Sequence, residues 1–115
     1  MTDGMFSHAG ADGYVDALPG IRRKTLAHGG STLLTEFRLD AGAVLPVHDH
    51  PQEQTGYLVA GVLRLTIGDE TRDMSPGDSW SIPGGVPHGG VALVDTVAVE
   101  VFSPVREDYL LADVG

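Results

Sequence analysis

Gly42-Ala43-Val44-Leu45-Pro46-Val47-His48-Asp49-His50-Pro51-Gln52-Glu53-Gln54 is the stretch on which the reading of this chain turns. His48 and His50 are two positions apart, so on an extended strand both imidazoles point to the same side. Gln54 follows after a short turn's worth of chain. A third imidazole, His88, arrives on a separate hairpin bounded by Gly77, Pro83, Gly85 and Pro87. Neutral nitrogen and oxygen donors converging on one point suit a divalent first-row metal. The intervals put Gln54 in the ligand position, while Glu53 beside it offers a carboxylate if the turn runs one residue differently.

Outward from this stretch the pattern has period two. Leu33, Thr35, Phe37 and Leu39 alternate with Leu34, Glu36 and Arg38. Similar runs predict strands over 55–59, 62–67, 70–74, 79–82, 88–93 and 96–102. Between them stand turn signals such as Ala60-Gly61, Gly68-Asp69 and Ser75-Pro76-Gly77-Asp78. Short strands at regular spacing with Gly/Pro turns predict an all-β sandwich or barrel. A short terminal helix is expected over 106–112. Residues 1–30, rich in Gly, Ala and Asp, read as an N-terminal arm with one or two short strands near 21–26, ahead of a barrel domain over 31–111.

The chain's 115 residues make one domain that buries roughly two-thirds of its unfolded surface. No cysteine is present, which removes disulfides and thiolate zinc sites. A formal charge of −9 disfavours nucleic acid and anionic membrane as partners, and Arg22-Arg23-Lys24 is too short a run to form a patch. No apolar stretch approaches the roughly 20 residues that span a bilayer. The first residues lack a basic region followed by an apolar run, so a cytoplasmic protein is expected.

Two gapped motifs make the chain resemble the cupin superfamily. The first is Gly42, His48, His50, Gln54 and Gly61, correct in every interval; the second is Gly77, Pro83, Gly85 and His88, with Ala92 where that motif has Asn. Gln54 stands where the usual ligand is acidic. The wording from His48 to Gln54, and the tail from Val101 to Leu110, are similar to the small cupins of the pectin-degradation (KdgF-type) family. The resemblance implies a single cupin double-stranded β-helix, or jelly roll, binding one divalent transition metal (Zn, Ni, Mn, Fe or Cu) through His48, His50, Gln54 and His88. It also implies a homodimer and conversion of 4,5-unsaturated monouronates to linear keto-sugar acids. The family's acid is an Asp two residues before the tail Phe; here Glu100 precedes Phe102, one methylene longer.

Glu100 has two readings. Alternation by hydrophobicity buries Val97, Val99 and Val101 and turns Thr96, Ala98, Glu100 and Phe102 to solvent. The resemblance puts the carboxylate inside the barrel, as an acid/base beside a metal-bound substrate. Four neutral ligands leave the metal's charge uncompensated, which favours isomerisation or tautomerisation of a small oxygen-rich sugar acid over oxygen activation. The expectation is therefore a metal-dependent isomerase-like enzyme. The alternatives are a metal-dependent oxygenase or cyclase, and a non-catalytic cupin that binds a small ligand. His8 and His28 lie outside both motifs and are expected at the solvated surface. The cluster Arg106-Glu107-Asp108 is expected to be a solvated terminus or to tie down the tail.

Overall fold

The computed structural model describes residues 2–3 and 5–114. Twelve strands and one helix follow in order: β1 (Thr2–Asp3), β2 (Phe6–Ser7), β3 (Val15–Leu18), β4 (Ile21–His28), β5 (Leu33–Leu39), β6 (Val44–His48), β7 (Glu53–Ala60), β8 (Leu63–Ile67), β9 (Glu70–Met74), β10 (Ser79–Ile82), β11 (His88–Ala92), β12 (Thr96–Ser103) and α1 (Glu107–Val114). Every strand pairing is antiparallel. One sheet has the order β10-β7-β12-β5-β4-β3 and the other β6-β11-β8-β9, with β1-β2 a separate pair. The two large sheets form the jelly roll. No helix among the described residues is long and apolar enough to cross a membrane.

Three local differences from the sequence reading have physical causes. β4, read as a short strand in an arm, is eight residues long and pairs along β5 from Ile21↔Leu39 to His28↔Leu33. The polar run Arg22-Arg23-Lys24 hides its period, yet Arg23 and Lys24 are buried. β6 was not among the strands read from periodicity, although an extended chain was expected at His48 and His50. It lies at the edge of its sheet, where a proline costs no ladder hydrogen bond. Finally, β12 turns its valines outward: Thr96, Ala98, Glu100 and Phe102 are buried, and the valines are half-buried on the other face.

The core fills the space between the sheets with Ile21, Leu39, Leu58, Leu63, Leu65 and Ile82. Trp80 and Glu100 both pair with Gly56 across the ladder, from opposite sides of β7. Trp80's indole lies across Gly56, where an added Cβ would stand 2.2 Å from its ring atoms. A glycine is required there so that the ring can bridge the strand. Gly56→Ala is expected to displace the ring and destabilise the fold by about 3 kcal/mol, the upper range of overpacking. Trp80 is the chain's single tryptophan, so its emission reports the displacement directly. An unchanged denaturation midpoint and emission maximum would refute this account.

Candidate metal centre

The site is assembled by strand register. His48 ends β6 and is the cross-strand partner of His88 at the start of β11. The ladder slips between His88 and Gly90, and Gly89 permits the close approach of β6, since a Cβ there would meet the Leu45 carbonyl at 2.8 Å. The strand stops at His48, so His50 sits in the following loop rather than on a continuous strand. Its ring still turns inward: the centroids stand 4.3 Å apart for His48–His88, 4.9 Å for His50–His88 and 5.7 Å for His48–His50. One ligating nitrogen from each lies within 4.8 Å of the others. Gln54 is buried at the start of β7, and Glu53, the alternative, is exposed.

Each imidazole is oriented by its own backbone. His48 Nδ1 lies 2.9 Å from the Pro46 carbonyl, His50 Nδ1 3.0 Å from that of Gln52, and His88 Nδ1 3.0 Å from that of Val86. A carbonyl only accepts, so in each ring the proton is on Nδ1 and the Nε2 lone pair is free for a ligand. Burial, with a smaller push from Arg106, pulls the His50 pKa below the ordinary imidazole value; burial does the same for His88. Neutral rings are the metal-binding form.

Two observations fit a cation among these groups. Among the described residues, His88 Nε2 is buried with no hydrogen-bond partner. His50 Nε2 lies 2.9 Å from Gln54 Oε1, although both are acceptors in this arrangement. Two lone pairs held that close are what adjacent ligands of one metal look like. The amide's orientation is set from its other end, where Gln54 Nε2 donates to Glu100 Oε1. Trp80 Nε1 donates to the same oxygen at 2.8 Å. Gln54 therefore presents oxygen to the histidines because Glu100 takes its nitrogen.

Glu100 is 9% exposed on the inner face. Burial pushes its carboxyl above the usual carboxylate range, against the two hydrogen bonds, which pull it down. Both bonds fall on Oε1, so Oε2 has no hydrogen bond among the described residues. Glu100, His48, Gln54 and His88 line a chamber of about 50 Å³ that runs into the core. An outer cleft of about 420 Å³ adjoins it, bordered by Arg23, Arg106 and Tyr109.

The sequence reading passed over this rim. Arg106 was read only as part of a terminal cluster, yet its guanidinium packs 5.2 Å from the centre of Phe102 and 4.1 Å from that of Tyr109. It also pairs with Asp108 at 2.8 Å. Arg23 lies 3.9 Å from the centre of the Tyr109 ring. The spacing of Arg106 and Tyr109 on one helical turn was the available signal. Nothing in the sequence linked either to Arg23.

The cupin-domain family model matches residues 35–104, and the chain belongs to that family. Among its relatives, the pectin degradation protein KdgF of Dickeya dadantii (strain 3937) is 30% identical over 93 residues, covering 79% of this chain and 84% of that protein. The solved structure of KdgF from Halomonas sp. superposes with a TM-score of 0.80 at 38% identity, covering 83% of this chain and 90% of that one. The H2HPP isomerase of Bacillus subtilis is 37% identical over 83 residues, 71% of this chain and 35% of that protein.

Proposed function

We propose that this cupin is a metal-dependent isomerase of a small sugar acid of the unsaturated uronate kind. The observation that carries the reading is the convergence of three histidine lone pairs within 4.8 Å, each fixed by a backbone carbonyl. His48, His50, Gln54 and His88 would hold one divalent transition metal. When bound, it supplies Lewis acidity toward a carbonyl or hydroxyl oxygen. Glu100 Oε2 takes and returns the proton as the sugar acid opens or tautomerises. Arg106 at the rim meets the substrate carboxylate, a local attraction in a chain whose formal charge is −9. The similarity to the pectin degradation protein KdgF and to H2HPP isomerase supports this choice over the oxygenase, cyclase and binding alternatives.

Metal content tests the reading. Mass spectrometry of protein purified without a metal-affinity tag is expected to find about one equivalent of divalent metal. The double variant His48→Ala/His88→Ala is expected to hold less than a tenth of that. Equal metal in both proteins would reject this ligand set.

The homodimer belongs to the same proposal. On the outer face of the six-stranded sheet, Tyr57 is 49% and Val59 48% exposed, beside half-buried Val97, Val99 and Val101. A second copy covers this stripe through a two-fold contact. Light scattering is expected to give twice the chain mass, and Val59→Asp to give the monomer. A monomeric wild type would discard the interface.

A further inference from the structure

The rung of the six-stranded sheet that carries Glu100 is polar on three adjacent strands. On one side of β12, Glu100 pairs with Gly56 of β7; on the other it pairs with Thr35 of β5, and Thr35 in turn pairs with Thr25 of β4. Direct cross-strand partners share a face, with Cβ atoms about 4.5–5.5 Å apart. Thr35 is 0% exposed. Its Oγ1 and that of Thr25 are both enclosed, and neither has a hydrogen-bond partner among the described residues. Buried hydroxyls without partners are rare, because each gives up water and gains nothing in return. Valine has the shape of threonine without that cost, so packing alone does not account for a hydroxyl at position 35.

The donors already on the Glu100 carboxyl show where a further one is wanted. Gln54 and Trp80 donate from β7 and β10, and both strands lie on the same side of β12 in the sheet order. Both bonds fall on Oε1. Thr35 stands on the opposite side, and Oε2 is the oxygen left. A threonine hydroxyl both donates and accepts. It serves a carboxylate as donor and a protonated carboxyl as acceptor, turning its own hydrogen toward Thr25 Oγ1 in the second case. A backbone N–H or a guanidinium would serve the charged form only.

We infer that Thr35 is a positioning residue for Glu100: its hydroxyl, backed by that of Thr25, holds Oε2 toward the substrate whether or not the carboxyl carries the proton. This rests on the sugar-acid isomerase reading and extends it to a side chain that lines neither the chamber nor the outer cleft. The bond closes when substrate fills the site, as catalytic hydrogen bonds left long in an unliganded protein do. The proton that Oε2 takes from one atom of the sugar acid returns to another, so the isomerisation balances without a co-reactant.

The test is steady-state turnover of a 4,5-unsaturated uronate by metal-loaded Thr35→Val and Thr35→Ser beside wild type, with metal content and unfolding midpoint measured on each. Thr35→Val is expected to lower kcat by about 10- to 100-fold, the worth of one hydrogen bond to a charged group, with KM unchanged. Its metal content is expected to match wild type. Its unfolding midpoint is expected to be equal or higher, since an unpartnered buried hydroxyl is removed at constant shape. Thr35→Ser is expected to recover most of the lost kcat. In a Glu100→Gln background, Thr35→Val is expected to cost no further activity, because the two groups act as a unit. Wild-type kcat in Thr35→Val, or a full additional loss in the Glu100→Gln background, would overturn the positioning role and leave the isomerase reading standing. So would a loss of kcat that follows a lowered midpoint and that serine does not restore. No turnover by the wild-type protein would overturn both.

Discussion

Treatment with EDTA is expected to lower the unfolding midpoint of the wild-type protein by about 10 °C and to leave that of His88→Ala unmoved. A ligand that binds only the folded state stabilises it by about 2.7 kcal/mol when present at 100 times its dissociation constant. For a chain of 115 residues each kcal/mol is worth about 4 °C. The three imidazoles come from β6, the loop after it and β11, so an unfolded chain holds no comparable site. Removing His88 deletes the most enclosed of the donors. It also removes a buried Nε2 that has no hydrogen-bond partner among the described residues, a group that costs about 1–3 kcal/mol when left unpaired. That relief offsets part of the cavity left by the ring, so the metal-free variant is expected to remain folded. Differential scanning fluorimetry, with and without chelator, reads the contrast. An equal EDTA shift in both proteins would mean that the metal sits elsewhere.

How much of this was legible in the sequence depends on what each signal reports. The convergence of the histidines was readable because spacing in a hairpin-rich chain survives translation into register: His48 and His88 are ladder partners although 40 residues separate them. The face of β12 was not readable from alternation. Periodicity finds two faces but does not say which encloses the site, and the valines mark the outer one. Only the resemblance pointed Glu100 inward. β6 was hidden because an edge strand tolerates the proline that argues against a central one. The bridge from Trp80 over Gly56 to Glu100 is a three-strand relation, invisible until β10, β7 and β12 are placed side by side. The rim likewise joins β4 to α1 across the chain's length, and no local pattern records that pairing.

Glu100→Gln is expected to reduce turnover of a 4,5-unsaturated uronate by 10²-fold to about 10⁴-fold, the range for loss of a positioned acid/base, with metal content unchanged. The substitution tests the role closely because it preserves the scaffold. Glutamine keeps a carbonyl oxygen where Oε1 now accepts from Gln54 and Trp80, so the Gln54 amide still turns its own oxygen toward the histidines. What changes is Oε2, the oxygen with no hydrogen bond, which becomes an amide nitrogen unable to take a proton. The metal centre is thereby separated from the proton carrier. Glu100→Ala would confuse the two, since it frees the Gln54 amide to rotate and leaves the Trp80 N–H buried without an acceptor. In Glu100→Gln, loss of turnover at constant metal stoichiometry assigns the proton step to this carboxyl. Unchanged turnover would remove it from the chemistry and reduce Glu100 to the group that orients Gln54. Loss of metal together with turnover would make that orienting role its main one.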